Sequence, residues 1–133
     1  MKLAMAASVL ALALASSIAA ADVPAEQKPE VDHLLHYVKS SSCQFERNGE
    51  IHDGVDAESH IRKKYDFFRG QIETTEQFIE WSATKSTVSG RYYRVKCADA
   101  DWKETRDWLL KELANFRHGG NVRAAPAERS RIC

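Results

Sequence analysis

The apolar run from Leu3 to Ala15 spans about thirteen residues, fewer than the roughly 20 that a membrane-spanning helix needs. Lys2 precedes it, and small residues close it at Ala19-Ala20-Ala21, just ahead of Asp22. A basic start, a short apolar stretch and a small-residue end make the pattern of a secretory signal peptide. The sequence therefore predicts a leader over residues 1–21 that is removed on export, and a working chain that begins near Asp22 outside the cytoplasm. No later stretch is long and apolar enough to span a bilayer, so no transmembrane segment is expected after cleavage. Removing residues 1–21 from 133 leaves 112, enough for one hydrophobic core and not for two.

Charge narrows the partners. The chain has 19 Lys plus Arg against 19 Asp plus Glu, and only Lys2 leaves with the leader, so the remainder carries a net charge of −1 with His neutral. Nucleic acid is not an expected partner, because phosphate binding is driven by concentrated positive charge. Three cysteines remain, Cys43, Cys97 and Cys133, in a compartment where thiols oxidise. Cys43 and Cys97 sit in segments that alternate like strands, whereas Cys133 ends a polar tail. The expected pair is Cys43–Cys97, a closure that stabilises a fold of this size by about 4 kcal/mol. Cys133 is left either for an intermolecular disulfide or as an incidental thiol on a frayed end.

Residues 22–28 read as a flexible leader, with order beginning at Pro29, a residue suited to a first helical turn. Val31, Leu34, Leu35 and Val38 then repeat at helical spacing, which turns His33 and His36 toward water. Cys43 and Phe45 alternate with polar residues ahead of Asn48-Gly49, the dipeptide of a tight type I′ hairpin turn. Asp56 reads as the cap of a second helix with the stripe Ala57, Ile61, Tyr65, Phe68 and Ile72, opposite a charged face that includes Glu58 and Arg62. Thr74 or Thr75 with Gln77 marks a third, shorter helix. Ser86 to Gly90 is a turn, and Tyr93, Val95 and Cys97 share the inner face of a strand. Asp101 reads as the cap of the last helix, with Trp102, Leu109, Leu113 and Phe116 on its stripe and Gly119-Gly120 as its stop. The fold class is α+β: a small antiparallel sheet, a hairpin plus one later strand, packed against about four helices with one disulfide. A single globular domain spans residues 29–118, and a disordered tail spans 119–133.

Candidate chemistry is sparse. His33, His36, His52 and His60 lack the regular ligand spacing of a metal site, and no metal or cofactor is assigned. Ser89 ahead of Gly90, with His60 and Asp66 on a nearby helix, invites a serine-hydrolase reading, yet no Gly-x-Ser-x-Gly elbow is present. Trp81, Trp102 and Trp108 suit sugar stacking, but aromatic residues at helical spacing more often pack. Arg47 at the hairpin tip, Lys64 on the second helix and Tyr93 on the late strand can line a polar recess for a small anion or an envelope polymer; the plainer alternative is that Arg47 and Lys64 are solvated charges, the usual state of surface charges, and that Tyr93 is core. Arg47, His60, Lys64, Ser89 and Tyr93 are therefore the candidate binding residues, and no residue is assigned as catalytic.

Cys43-x-Phe45-x-Arg47-Asn48-Gly49, Lys64-Tyr65, Phe78-Ile79, Ser86-x-x-Ser89-Gly90-x-x-Tyr93-x-Val95-x-Cys97 and Trp108-Leu109 with Leu113 together resemble the YfeK-like family of small uncharacterised periplasmic proteins. The resemblance covers about Val31 to Arg117 and is most specific around the two cysteines. It implies a signal-bearing, disulfide-containing domain of the periplasm and carries no activity with it. The expected function is a non-enzymatic module that binds a periplasmic protein or a cell-wall component; the alternative is a small hydrolase or transferase that uses Ser89, His60 and Arg47 in a polar cleft.

Overall fold

The computed structural model describes residues 21–123. Nearly all of the expected leader, and the tail beyond Arg123 with Cys133, lie outside the described residues. Within them the order is helix α1 (Lys28–Ser40), strands β1 (Gln44–Arg47) and β2 (Glu50–His52), helices α2 (Gly54–Phe68) and α3 (Thr75–Ala83), strands β3 (Arg94–Lys96) and β4 (Lys103–Glu104), and helix α4 (Thr105–Arg123). The antiparallel sheet runs β2-β1-β3-β4, so β1 and β3, far apart in sequence, lie side by side at its centre.

The hairpin forms as its turn residues dictate: Asn48 and Gly49 take φ of 52° and 83°, the left-handed pair that matches the twist of two antiparallel strands. Across the centre, Phe45 faces Val95 and Gln44 faces Lys96. One step further out, Cys43 and Cys97 are disulfide-bonded with Cα atoms 4.3 Å apart. They flank the strands and are half-buried against the core. Alternation also works inside the sheet, since Phe45 and Val95 are buried while Gln44 and Arg94 are exposed.

The helices close over one face. Val31, Leu34, Leu35 and Val38 of α1 meet Ala57, Ile61 and Tyr65 of α2, Phe78 and Ile79 of α3, and Leu109 and Leu113 of α4. Each such side chain, fully removed from water, contributes about 1.5–3 kcal/mol. Helix α3 starts on its Thr74 cap: the Thr74 hydroxyl accepts from the Gln77 backbone N–H at 3.1 Å, while the Gln77 side chain reaches one residue beyond the cap of a regular capping box, accepting from the Glu73 N–H at 2.7 Å.

Several expectations are corrected. Residues 22–28 are packed rather than loose: Val23 belongs to the core, Asp22 accepts from the Tyr65 hydroxyl and from Lys28 at 2.6 Å, and Gln27 accepts from the Thr75 N–H at 2.8 Å. Polar composition misled because Asp22, Gln27 and Lys28 find partners at Tyr65 and Thr75 on later helices. Helix α2 is capped by Asp53, whose carboxylate accepts from the Asp56 N–H at 2.9 Å. Its start is one turn earlier because Gly54 nestles against the end of α1. Glu58 is buried and holds Arg62 at 2.6 Å. His33 is not turned to water; it is hydrogen-bonded to Glu112 at 2.8 Å and stacked on Phe116. The last helix begins at Thr105, because Lys103 and Glu104 pair with Val95 and Arg94 as a fourth strand, giving the backbone of β3 partners on its second side. Trp102 is thereby off the helix, under the Arg94 guanidinium at 5.4 Å. Gly119 and Gly120 do not stop α4, which continues to Arg123; glycine costs about 1 kcal/mol in a helix but removes no backbone donor.

Two stability tests follow from this packing. A β-carbon on Gly54 would lie 2.4 Å from the Val38 carbonyl oxygen and 3.0 Å from that of Ser41. Gly54→Ala is expected to destabilise by about 2 kcal/mol or more and to lower Tm by at least about 8 °C; an unchanged melting curve would contradict the close approach. Replacing Cys43 and Cys97 together by Ala is expected to remove about 4 kcal/mol in urea unfolding.

Candidate functional site

Four of the five candidate binding residues come together where α2 crosses the sheet. Arg47 ends β1. His60 and Lys64 are four residues apart on α2 and so share one face. Tyr93 immediately precedes β3, and its backbone is held on both sides: its N–H donates to Thr84 at 2.9 Å and its carbonyl accepts from Thr105 at 3.0 Å. Tyr93 is buried, and its phenolic oxygen is the hub. It lies 3.1 Å from His60 Nε2 and accepts from Lys64 Nζ at 3.4 Å. The ammonium also donates to the Lys85 carbonyl at 2.6 Å and stands 5.1 Å above the Tyr93 ring. A recess of about 20 Å³, room for a water-sized group, is lined by Phe45, Ala57 and Ile61 together with Glu46, Arg47, His60 and Tyr93.

Ser89 stands apart from this set. Its hydroxyl donates to Asn48 Oδ1 at 2.5 Å and accepts from the Arg91 N–H at 3.2 Å, which ties the 86–90 turn to the hairpin tip. Asp66 is paired with Arg69 at 2.6 Å and His60 with Tyr93. Serine, histidine and aspartate thus each have a different partner, and no hydrolytic triad is assembled among the described residues. The histidines are likewise dispersed: His33 is on Glu112, His36 is exposed, and His52 lies 3.8 Å from Glu50. Among the described residues no three His, Cys, Asp or Glu side chains gather as a metal site requires.

The electrostatics are one-sided. Arg62, Arg69, Arg94, Arg106 and Arg117 are each paired with a carboxylate. Among the described residues Lys39, Arg47, Lys63, Lys64, Lys85, Arg91, Lys96, Lys103 and Lys111 are in no such pair, and of these Arg47 and Lys64 adjoin His60 and Tyr93. Burial, with Arg47 and Lys64 next in weight, holds the His60 imidazole down to about 4. Burial and the neighbouring Lys85 bring the Lys64 ammonium down to about 8. Burial raises the Tyr93 phenol, against the pull of Arg47. At neutral pH His60 is therefore uncharged; with its proton on Nδ1, Nε2 accepts from the phenol while the phenolic oxygen accepts from Lys64. Such a set holds negative charge well, and Glu46, the carboxylate in the recess wall, is engaged by Arg94 at 2.5 Å.

Sequence reasoning missed His52, Lys85, Arg91 and Thr105. His52 and Thr105 also line the recess, and each carries one buried side-chain atom, Nε2 and Oγ1, without a hydrogen-bond partner. Lys85 enters through the bridge between Lys85 and Tyr92, a long-range pairing that no local periodicity announces.

The depressed imidazole sets a pH test. His60 takes up a proton less readily in the fold, at about 4, than in the unfolded chain, at about 6.5. Its contribution to stability is therefore complete above about 6.5 and is lost as pH falls toward 4, by on the order of 2 kcal/mol. His60→Gln is expected to flatten that part of the stability profile, and the His60 ring resonances of the parent are expected to titrate near 4; a midpoint near 6.5 would contradict the burial.

Comparison with known proteins places this geometry in a lineage. Residues 25–117 match the family described as "Family of unknown function (DUF5329)". A Salmonella typhimurium protein described as "Uncharacterized protein YfeK" is 34% identical over 74 residues, covering 55% of this chain and 62% of that protein, so the match spans less than two thirds of the relative's length. No solved structure matches. With most of the folded domain inside the matched region, including both cysteines and the whole cationic recess, the chain belongs to the DUF5329 family of unknown function.

Proposed function

We propose that this chain is exported, loses residues 1–21, and acts in the periplasm as a non-enzymatic binding module in which the water-sized recess and the neighbouring Arg47 and Lys64 engage one oxygen of an anionic group on a cell-envelope partner. The observation that supports the reading is the pair Arg47 and Lys64, half-buried beside His60 and the Tyr93 hydroxyl and without a carboxylate partner among the described residues. Proteins seldom leave a half-buried cation uncompensated, because desolvation disfavours its charged form. Lys64 in particular is kept among Phe68, Tyr93 and Lys85, where an arriving anion relieves both desolvation and repulsion. The buried, unpartnered atoms of His52 and Thr105 add polar contacts at the same place.

Titration of the exported protein with inorganic phosphate, read through backbone amide shifts, is expected to move signals at Arg47, His60, Lys64, Lys85 and Arg91, and to weaken at high salt. Binding should fall as pH rises through about 8, where Lys64 loses its proton. Lys64→Met is expected to abolish binding yet raise stability by on the order of 1 kcal/mol, since it removes a cation that the fold holds at a cost. Shifts scattered over the surface, or a destabilised Lys64→Met that still binds, would overturn the reading. Export is tested by intact mass of protein from the periplasmic fraction, which should start near Asp22.

A further inference from the structure

A second depression opens on the far side of Lys64. It occupies about 280 Å³ between α2, α3 and the 86–90 turn, and is lined by Phe68 and Trp81 with Lys64 and Lys85, while Glu80 lies in its wall. Its accessible lining is mostly apolar. The Phe68 and Trp81 rings stand 5.1 Å apart and tilted by 33°, and Trp81 is 39% exposed although it is one of the largest apolar side chains in the chain. Phe67, 80% exposed, sets its ring at 87° against Phe68 and extends the aromatic surface outward.

Charge is divided along this groove. Lys64 and Lys85 contribute two cations without carboxylate partners, and the Lys64 ammonium lies 6.0 Å from the Phe68 ring and 3.4 Å from the Tyr93 oxygen, so it belongs to the groove and the recess at once. Glu80 carries negative charge and faces Arg106 at 4.0 Å. An occupant therefore finds positive charge on one side only. A guest with negative charge along its whole length meets Glu80, and a neutral apolar guest leaves the lysines unanswered.

We infer that the groove binds a small amphipathic carboxylate, its acidic head at Lys64 and Lys85 and its flat apolar body between Phe68 and Trp81. The inference deepens the anion-binding reading, on which it rests, by naming the ligand class. Apolar pockets with a few convergent polar groups are the usual form of small-molecule sites, and a carboxylate that replaces water around two crowded ammonium groups relieves their repulsion. The aromatic pair sets the shape of the body and the lysines set its orientation.

Three probes separate the parts of this claim: 2-naphthoate carries body and head, 2-naphthamide the body alone, and acetate the head alone. Calorimetry on the exported protein is expected to give 2-naphthoate at least about tenfold tighter binding than either of the others, a difference typical of burying an aromatic body beside a paired charge. Trp81→Ala is expected to weaken 2-naphthoate about tenfold and to leave inorganic phosphate binding at the recess unchanged. Lys85→Glu, a surface change that leaves the core intact, is expected to weaken 2-naphthoate and spare 2-naphthamide. If phosphate still binds in a Lys64-dependent way while 2-naphthoate gains nothing over acetate or ignores Trp81→Ala, the amphipathic ligand is overturned and the recess stands. Equal affinity for naphthoate and naphthamide overturns the role of the lysines. If none of the anions binds, both readings fall.

Discussion

The pairing of β1 with β3 carries the rest of the structure. Gln44 to Glu46 and Arg94 to Lys96 come from opposite halves of the chain, and closing the segment between them costs conformational entropy before any contact repays it. The Cys43–Cys97 bond, one residue outside the register, removes that cost from the folded side by restricting the unfolded chain. Once the two strands lie together, α2 has a surface to cross and the 84–93 segment has an edge to follow. Tyr93 then arrives over His60 and Lys64. The pairing of β1 with β3 positions the site, and the cross-strand staple stabilises that pairing.

Around that frame the protein spends stability in two different ways. The arginines are compensated: Arg117 is bound by Glu30 and Glu76, Arg62 by Glu58, Arg94 by Glu46. Those pairs knit α4 to α1 and α3, steady one face of α2, and brace the sheet. Beside the hairpin tip Arg47 and Lys64 stand without a carboxylate partner, because Glu46 in the same wall is taken by Arg94. Half-buried cations left in this way mark a place where folding alone is a poor explanation for the residue choice. The neutral imidazole of His60 fits this picture, since a second positive charge there would be costly.

Much of the architecture was legible from the residues, for reasons that are physical and local. Asn48-Gly49 admits few conformations besides the hairpin turn it makes, and the spacing of Val31, Leu34, Leu35 and Val38 admits a buried helical face. The two cysteines declared the long-range contact directly, because they occupy alternating segments in a chain read as exported. What escaped was set by partners distant in sequence. Asp22 and Val23 look like a polar leader until Tyr65 and Lys28 are placed around them. Trp102 reads as helical until the open edge of β3 captures Lys103 and Glu104. Within the site, Arg47, Lys64 and Tyr93 were visible as a polar set, whereas Lys85 and Thr105 were not, since backbone pairing rather than periodicity brings them in. Ser89 was misjudged in the opposite sense: its neighbours in sequence suggested chemistry, and its hydrogen bonds give it to the turn.

The sheet also has consequences for how copies of the molecule treat one another. Its outer strands are only three and two residues long, and β2 carries charged Glu50 at its outer start. A neighbouring chain seeking to extend the ladder finds too few free backbone groups to gain a foothold, and proteins commonly blunt their margins in this way. Neither margin of the sheet therefore gives a second copy a long ladder to extend.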